Sequence, residues 1–272
     1  MPKYKALVEL PNGGESTNLT EWTTPDCQRI QQYAEALRIY LESDAELHRS
    51  EFYRQQTIFP EEVYTRLRQW VDGTSSRRMM WIEGPYSPGV LTLSNHIGVA
   101  AVDQVMDAQL PCIAHFCKSQ YSFASESLSH RDAAVLSLFY SVIHQLAYLL
   151  PIQAPIADRR LDPQEFAKLD EKLKSVPAAL NIIEALLEHA PPTIAWVIDG
   201  LQYAGDLSTN QLLLDFVELL RGQERKRIWK VVFTTGGRSQ VLDRGIRPWE
   251  RVDASGMVQA RGGRAHPGGV FM

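Results

Sequence analysis

Short apolar runs alternate with longer segments of helical periodicity from residue 79 onward. The apolar runs predict four strands, at 79–82, 112–117, 193–198 and 230–235. Because successive residues in these runs are apolar, we expect both faces of each strand to be buried. Strands of this kind separated by helices indicate an α/β fold with a mostly parallel sheet covered on both sides.

Helical periodicity predicts four helices after the first strand, at 90–106, 131–150, 178–189 and 211–221, and a polar connector at 151–175. Two further helices precede that strand. One is expected to start at Pro25 with Thr24 as its N-cap, and the other near Pro60. We therefore divide the chain into a flexible tail (1–23), a helical annex (24–76), a main domain (77–258) and a Gly- and Pro-rich disordered tail (259–272).

Composition narrows the range of partners. The net charge of -4 and pI near 6.0 argue against a nucleic-acid partner, which requires a clustered basic surface. A membrane span needs roughly 18 consecutive apolar residues, and the chain has no such run. The N-terminus lacks the apolar segment of a signal peptide, so the cytoplasm or the nucleus is expected, and we take the cytoplasm as the location. Seven histidines form no metal-binding pair and are expected at the surface or as hydrogen-bonded core residues.

The turn after the first strand has the glycine spacing of a phosphate-binding loop, G-x-x-x-x-G-K-[ST], with Gly84 and Gly89 in the two glycine positions. Val90 stands where the pattern has the lysine that neutralises phosphate charge, and Leu91 where it has the Mg²⁺-binding hydroxyl. Thr92 is the nearest hydroxyl, one residue too late. The glycines are therefore present without the chemistry of the motif.

The loop also has fewer backbone N–H groups with which to bind a phosphate. Pro85 and Pro88 each remove a backbone N–H that would otherwise point at the anion. The residues that could still contact a nucleotide here are Gly84, Ser87, Gly89 and Thr92. An ordinary strand–turn–helix corner with a fortuitous glycine pair is the alternative interpretation.

Two later segments favour a P-loop NTPase-like three-layer fold. The third strand ends in Asp199, where such domains place the carboxylate that orients Mg²⁺, although a turn cap is a common role for an aspartate here. The fourth strand leads into Gly236, Gly237 and Arg238, where a cationic sensor would stand. Asp199 is therefore the candidate metal ligand and Arg238 a candidate nucleotide contact.

Five segments in this order resemble the NACHT-type STAND NTPase domain of fungal NOD-like receptor proteins, over about residues 60–240. They are 80–84 with Gly89, 115–116, 136–143, 197–201 and 233–235. The resemblance implies a nucleotide-controlled switch in signalling and self-recognition. It also implies an acidic segment D-x-L-D-E, in which Asp199 and Leu201 match but Gln202 and Tyr203 replace the second Asp and the Glu.

Several charged groups of an NTPase are therefore missing together, and such enzymes act mainly by positioning and charge neutralisation. We expect a degenerate NACHT-like module with no catalytic residue, little or no NTP hydrolysis and no resident cofactor. It would act in signalling or self-recognition through protein partners or self-association. The alternatives are a weak nucleotide-binding switch for ATP or GTP with Mg²⁺, and a structural α/β protein without a ligand.

Overall fold

The structure is a computed structural model that describes residues 27–42, 60–73, 78–86, 92–151, 156, 158–223 and 228–255. Its five strands form one all-parallel sheet in the order β2-β3-β4-β1-β5. The strands are β1 (Met79–Gly84), β2 (Cys112–Phe116), β3 (Thr193–Asp199), β4 (Ile228–Gly236) and β5 (Arg251–Asp253). The predicted α/β class, with a P-loop-like three-layer architecture, is confirmed.

Eight α-helices lie within these described ranges. They are α1 (Cys27–Glu35), α2 (Glu61–Asp72), α3 (Leu93–Asp107), α4 (His130–Leu149), α5 (Pro163–Phe166), α6 (Val176–His189), α7 (Asn210–Gly222) and α8 (Gln240–Gly245). Short 3₁₀ turns join several of them, including one that continues α1 over Ala36–Tyr40.

The helices cover the sheet on both faces. α1, α4, α6, α7 and α8 pack on one face, and α2 and α3 pack on the other. Successive strand residues serve opposite layers: Met79 and Trp81 of β1 belong to the first core, and Met80 and Ile82 to the second. Because α1 and α2 contribute to different layers, both helices N-terminal to the sheet are parts of its cover.

Helix α4 is the central helix of the first layer. Among the described residues it is the one helix long and apolar enough, by length and composition, to cross a membrane. In its most apolar window, 72% of the residues are buried inside the fold, against α1, α6 and β2. That burial is typical of a core helix.

Helix α4 also covers the outer edge of the sheet at β2. Gln145 accepts a hydrogen bond from the Ala114 backbone N–H at 2.9 Å and donates to the Ala114 carbonyl at 3.0 Å. The side-chain amide therefore pairs with the middle of this edge strand as another strand would.

Two predictions about the elements are wrong. Helix α3 was expected from residue 90, but it begins at Leu93, because Thr92 has extended backbone angles and acts as its N-cap. The short elements α8 and β5 were not expected, although a fifth strand completes the sheet beside β1. Thr24 and the predicted tails at 1–23 and 259–272 lie outside the described residues, and the proposed domain boundaries stay predictions.

Candidate functional site

The carboxyl edge of the sheet brings three strand ends under the start of α3. β1 and β4 end side by side at Gly84 and Gly236, and Asp199 at the end of β3 pairs with Thr234. A Cβ added to Gly236 would lie 3.4 Å from the Ser94 hydroxyl oxygen. Ligands of parallel α/β sheets bind at this edge, so the predicted site lies where the fold places sites.

Asp199 is completely buried at this edge, and both of its carboxylate oxygens are hydrogen-bonded. The Thr234 hydroxyl donates to Oδ1 at 2.5 Å, and the Asn95 amide Nδ2 donates to Oδ2 at 2.5 Å. Both donors are neutral, and they come from β4 and from the first turn of α3.

The orientation of the Asn95 amide is fixed by Thr92. The Thr92 backbone N–H donates to Asn95 Oδ1 at 2.7 Å, and the Thr92 hydroxyl donates to the same oxygen at 2.8 Å. An amide oxygen must face these donors, so the NH₂ group must face Asp199. We call Thr92, Asn95, Asp199 and Thr234 the Asp199 network. It joins the N-cap of α3 to the ends of β3 and β4.

Burial raises the pKa of Asp199 to about 6, and the hydrogen bonds from Thr234 and Asn95 offset only part of that increase. The reason is that water is excluded around the carboxylate while the donors that replace it carry no net charge. Near neutral pH the carboxylate is therefore ionised at a cost in stability.

The described residues do not fit a Mg²⁺ ion held by Asp199. Magnesium binds oxygen ligands at about 2.0–2.1 Å and keeps several of its waters. Both Asp199 oxygens face hydrogen donors, and the Thr92 hydroxyl is shared between Asn95 and Ser94. Within the described ranges, no three His, Cys, Asp or Glu side chains are grouped as metal ligands.

The other predicted site residues are distributed as follows. Gly84 ends β1 beside the network, and Thr92 is part of the network itself. Arg238 is exposed and forms an ion pair with Asp243. Ser87 and Gly89, together with Val90 and Leu91, lie outside the described residues, so their roles stay predictions.

Arg238 belongs to a chain of alternating charges along this edge. Asp243 also pairs with Arg251 at 3.3 Å, and Arg251 in turn pairs with Glu83 near the end of β1. The Arg251 guanidinium lies 4.6 Å from the centre of the Trp81 ring. The positive charge of Arg238 is thus already matched by a carboxylate.

Sequence reasoning missed Asn95 and Thr234. The signal for Asn95 was its position three residues after Thr92, which is the spacing of a capping box. Thr234 lies in an apolar strand and in the segment 233–235, which resembles the NACHT-type domain, but neither gave it a role. Asn95 lies outside both the loop pattern and the five segments of that resemblance.

One histidine departs from expectation. His115 on β2 is completely buried, and neither ring nitrogen has a protein hydrogen-bond partner in the described part of the chain. Burial lowers its pKa to about 3. The prediction of a surface or hydrogen-bonded histidine is therefore wrong at this position.

The fold and the geometry of its carboxyl edge define the class of protein: a P-loop-like α/β domain whose buried Asp199 faces neutral donors. Residues 62–235 match the family model described as Nephrocystin 3, N-terminal. Because this match takes in well over half of the 272 residues, the chain belongs to that family. No curated protein and no solved structure matches the chain. The matching model is not the NACHT model, so the NACHT type and a fungal origin stay predictions.

Proposed function

We propose that this chain is a degenerate, NACHT-like module that hydrolyses little or no nucleotide and works through protein contacts in signalling or self-recognition, in the cytoplasm. One observation carries the proposal: both Asp199 oxygens are held by neutral donors inside a buried network. A carboxylate in that state does not orient a hydrated Mg²⁺ ion for phosphoryl transfer.

The surroundings of Asp199 support the same conclusion. Phosphoryl transfer depends on cations that neutralise charge on the phosphates. Val90 and Leu91 replace the lysine and hydroxyl of the loop pattern, and Gln202 and Tyr203 replace the second Asp and the Glu of the acidic segment D-x-L-D-E. Arg238, the nearest predicted cation, is paired with Asp243.

Protein contact is supported by apolar side chains presented at the carboxyl edge. Tyr86, just after β1, is 79% exposed, and Leu207, in the loop after β3, is 98% exposed. The Leu207 loop is held in shape by Asp206, whose carboxylate accepts the backbone N–H groups of Ser208 at 2.8 Å and Thr209 at 3.0 Å. A side chain on an ordered turn loses little conformational freedom when a partner covers it.

Calorimetric titration with Mg-ATP and Mg-GTP, together with a phosphate-release assay, tests the loss of nucleotide chemistry. We expect no binding up to about 1 mM nucleotide, the upper end of usual enzyme affinities, and no turnover. Micromolar binding that disappears in Asp199→Ala would contradict the proposal and favour the weak nucleotide-binding switch. The exposed guanidinium of Arg238 is the feature that could support such binding, so Arg238→Gln is the second variant to titrate.

Light scattering after gel filtration tests the contact surface. If the module self-associates through the carboxyl edge, Leu207→Asp will lower the mass of the assembly. Met106→Asp is the matched control, because Met106 is 57% exposed near the C-terminal end of α3, away from the carboxyl edge. Equal effects of the two substitutions would exclude this edge as the interface. A monomeric wild type would leave contact with a different protein as the proposed mode.

A further inference from the structure

We infer that Asn95 takes the place of a divalent cation at Asp199 and is the residue that keeps Mg²⁺ out of this site. The inference deepens the proposed function and rests on it, since it names the group responsible for the missing metal chemistry. It differs from the expectation from the sequence, in which Val90 and Leu91 replace the lysine and the Mg²⁺-binding hydroxyl of the loop.

Asn95 lies in the space that a cation at Asp199 would need. Asn95 Nδ2 lies 2.5 Å from Asp199 Oδ2, within the shell where a cation and its waters would have to lie. The other oxygen, Oδ1, receives the Thr234 hydroxyl at the same distance. Asp199 is completely buried, so a cation could reach it only after one of these donors moves away, and Asn95 is the donor from the helix α3.

Three hydrogen bonds with Thr92 hold Asn95 in place. Its Oδ1 accepts two hydrogen bonds from Thr92, and its backbone N–H donates to the Thr92 hydroxyl at 3.4 Å. One turn further along α3, a Cβ added to Gly98 would lie 3.4 Å from Asp199 Cβ and 3.2 Å from the Thr234 hydroxyl oxygen. The helix therefore sits directly on β3 and β4, and Asn95 cannot withdraw without depriving the Thr92 backbone N–H of its acceptor.

The Asn95 amide NH₂ group carries a partial positive charge, which suits the ionised Asp199 carboxylate, whereas a second carboxylate at the same place would repel it. Two adjacent carboxylates are the arrangement that a hard divalent cation stabilises. The substitution Asn95→Asp should therefore convert the network into a cation site, whereas restoring the loop with Val90→Lys and Leu91→Ser should not.

The experiment titrates MnCl₂ without nucleotide at pH 8, where Asp199 is ionised, and follows free Mn²⁺ by electron paramagnetic resonance and Tm by calorimetry. We expect no binding below about 1 mM for the wild type or the Val90→Lys, Leu91→Ser double variant. Asn95→Asp should bind at least about tenfold more tightly and gain Tm with MnCl₂. Adding Asp199→Asn to Asn95→Asp should abolish both effects.

The inference is overturned by Asp199-dependent Mn²⁺ binding in the wild type, or by Asn95→Asp binding no more tightly than the wild type. If near-ultraviolet circular dichroism shows that Asn95→Asp is unfolded, Asn95→Ser replaces it, because its shorter side chain frees Asp199 and supplies a hydroxyl. Failure of Asn95→Ser to bind more tightly than the wild type is equally decisive. Nucleotide binding by the wild type would contradict the proposed function alone, whereas Mn²⁺ binding by the wild type without turnover would contradict this inference alone.

Discussion

Two buried titratable side chains lie one strand apart in this sheet, and their surroundings are opposite. His115 is on β2 and Asp199 on β3, where the paired residues are His115 with Ile198 and Phe116 with Asp199. Both side chains are completely buried. Asp199 has a donor on each oxygen, whereas His115 has no protein partner among the described residues. Burial alone therefore does not mark the site; the organised partners do.

The two groups also respond to pH in opposite directions. The folded-state pKa of Asp199 is raised to about 6, so its contribution to stability is fully present below its unfolded pKa and is lost as pH rises toward 6. The pKa of His115 is lowered to about 3, so its contribution is present above its unfolded pKa and is lost as pH falls toward 3. Between pH 4 and 6 the two contributions largely cancel.

Removing His115 should have the largest effect on that balance. His115→Leu eliminates an acid-dependent loss of about 5 kcal/mol between pH 6.5 and 3, which is 1.36 kcal/mol for each unit of pKa shift. Relative to the wild type, the variant should gain stability as pH falls from 7 to 4, because His115 no longer offsets the contribution of Asp199. Urea unfolding followed by tryptophan fluorescence measures this. His189→Leu, at a partly exposed position, is the control, and identical profiles for wild type and His115→Leu would refute the comparison.

Neutralising Asp199 should have the opposite and smaller effect. Asp199→Asn removes a contribution of about 3 kcal/mol that the wild type loses between pH 4 and 6. Relative to the wild type, the variant's free energy of unfolding should therefore rise with pH across this window, because the loss on ionising Asp199 is gone. The same urea titrations provide the measurement. Identical profiles for the wild type and Asp199→Asn would show that Asp199 does not titrate in this range.

Removing one donor should reveal the charge on Asp199. Thr234→Val keeps the shape of the side chain but leaves Oδ1 without its hydrogen bond, at a cost of about 2 kcal/mol at pH 7 and less at pH 4, where the carboxyl is protonated. Thr235→Val is a matched control on the same strand, since the Thr235 hydroxyl accepts from Trp81 Nε1 at 2.8 Å instead. Its cost should be the same at both pH values. A pH-independent loss in Thr234→Val would contradict an ionised Asp199.

The smallest change in the free energy of unfolding is expected on replacing a side-chain amide that makes no hydrogen bond in the described structure. Gln104 is on α3 with Asn95, but neither of its amide atoms has a hydrogen-bond partner in the described structure. Gln104→Met should therefore change the free energy of unfolding by less than about 0.5 kcal/mol or increase it. Asn95→Leu, measured beside it, should cost several times more. Equal costs would mean that the Asp199 network does not stabilise the fold.

The sequence was sufficient for the architecture and for Asp199. Four strands have apolar side chains on both faces, and a polar residue directly after such a run must lie at the carboxyl edge of a parallel sheet. That argument places Asp199 correctly without any knowledge of its partners. Strand β5 was not predicted from apolar runs, because Arg251–Asp253 is three residues long and alternates charged with apolar positions.

The partners of Asp199 could not be predicted in the same way. Asn95 is 104 residues earlier in the chain, and its contact depends on where α3 begins. Helical periodicity predicts the helix from residue 90, whereas the Thr92 cap delays its start to Leu93. The position where α3 starts determines which side chain of its first turn faces the Asp199 carboxylate. The Thr92 N-cap sets that position, and the loop pattern does not predict it.

Gln145 has a consequence for assembly. A parallel sheet grows by hydrogen bonding a new strand to its margin, and the middle of β2 already has its N–H and carbonyl groups satisfied from within the same molecule. A strand from a second molecule would have to displace that amide and leave its Oε1 without the Ala114 donor in a partly buried position. Gln145 therefore disfavours addition of a strand from a second molecule to the edge strand β2.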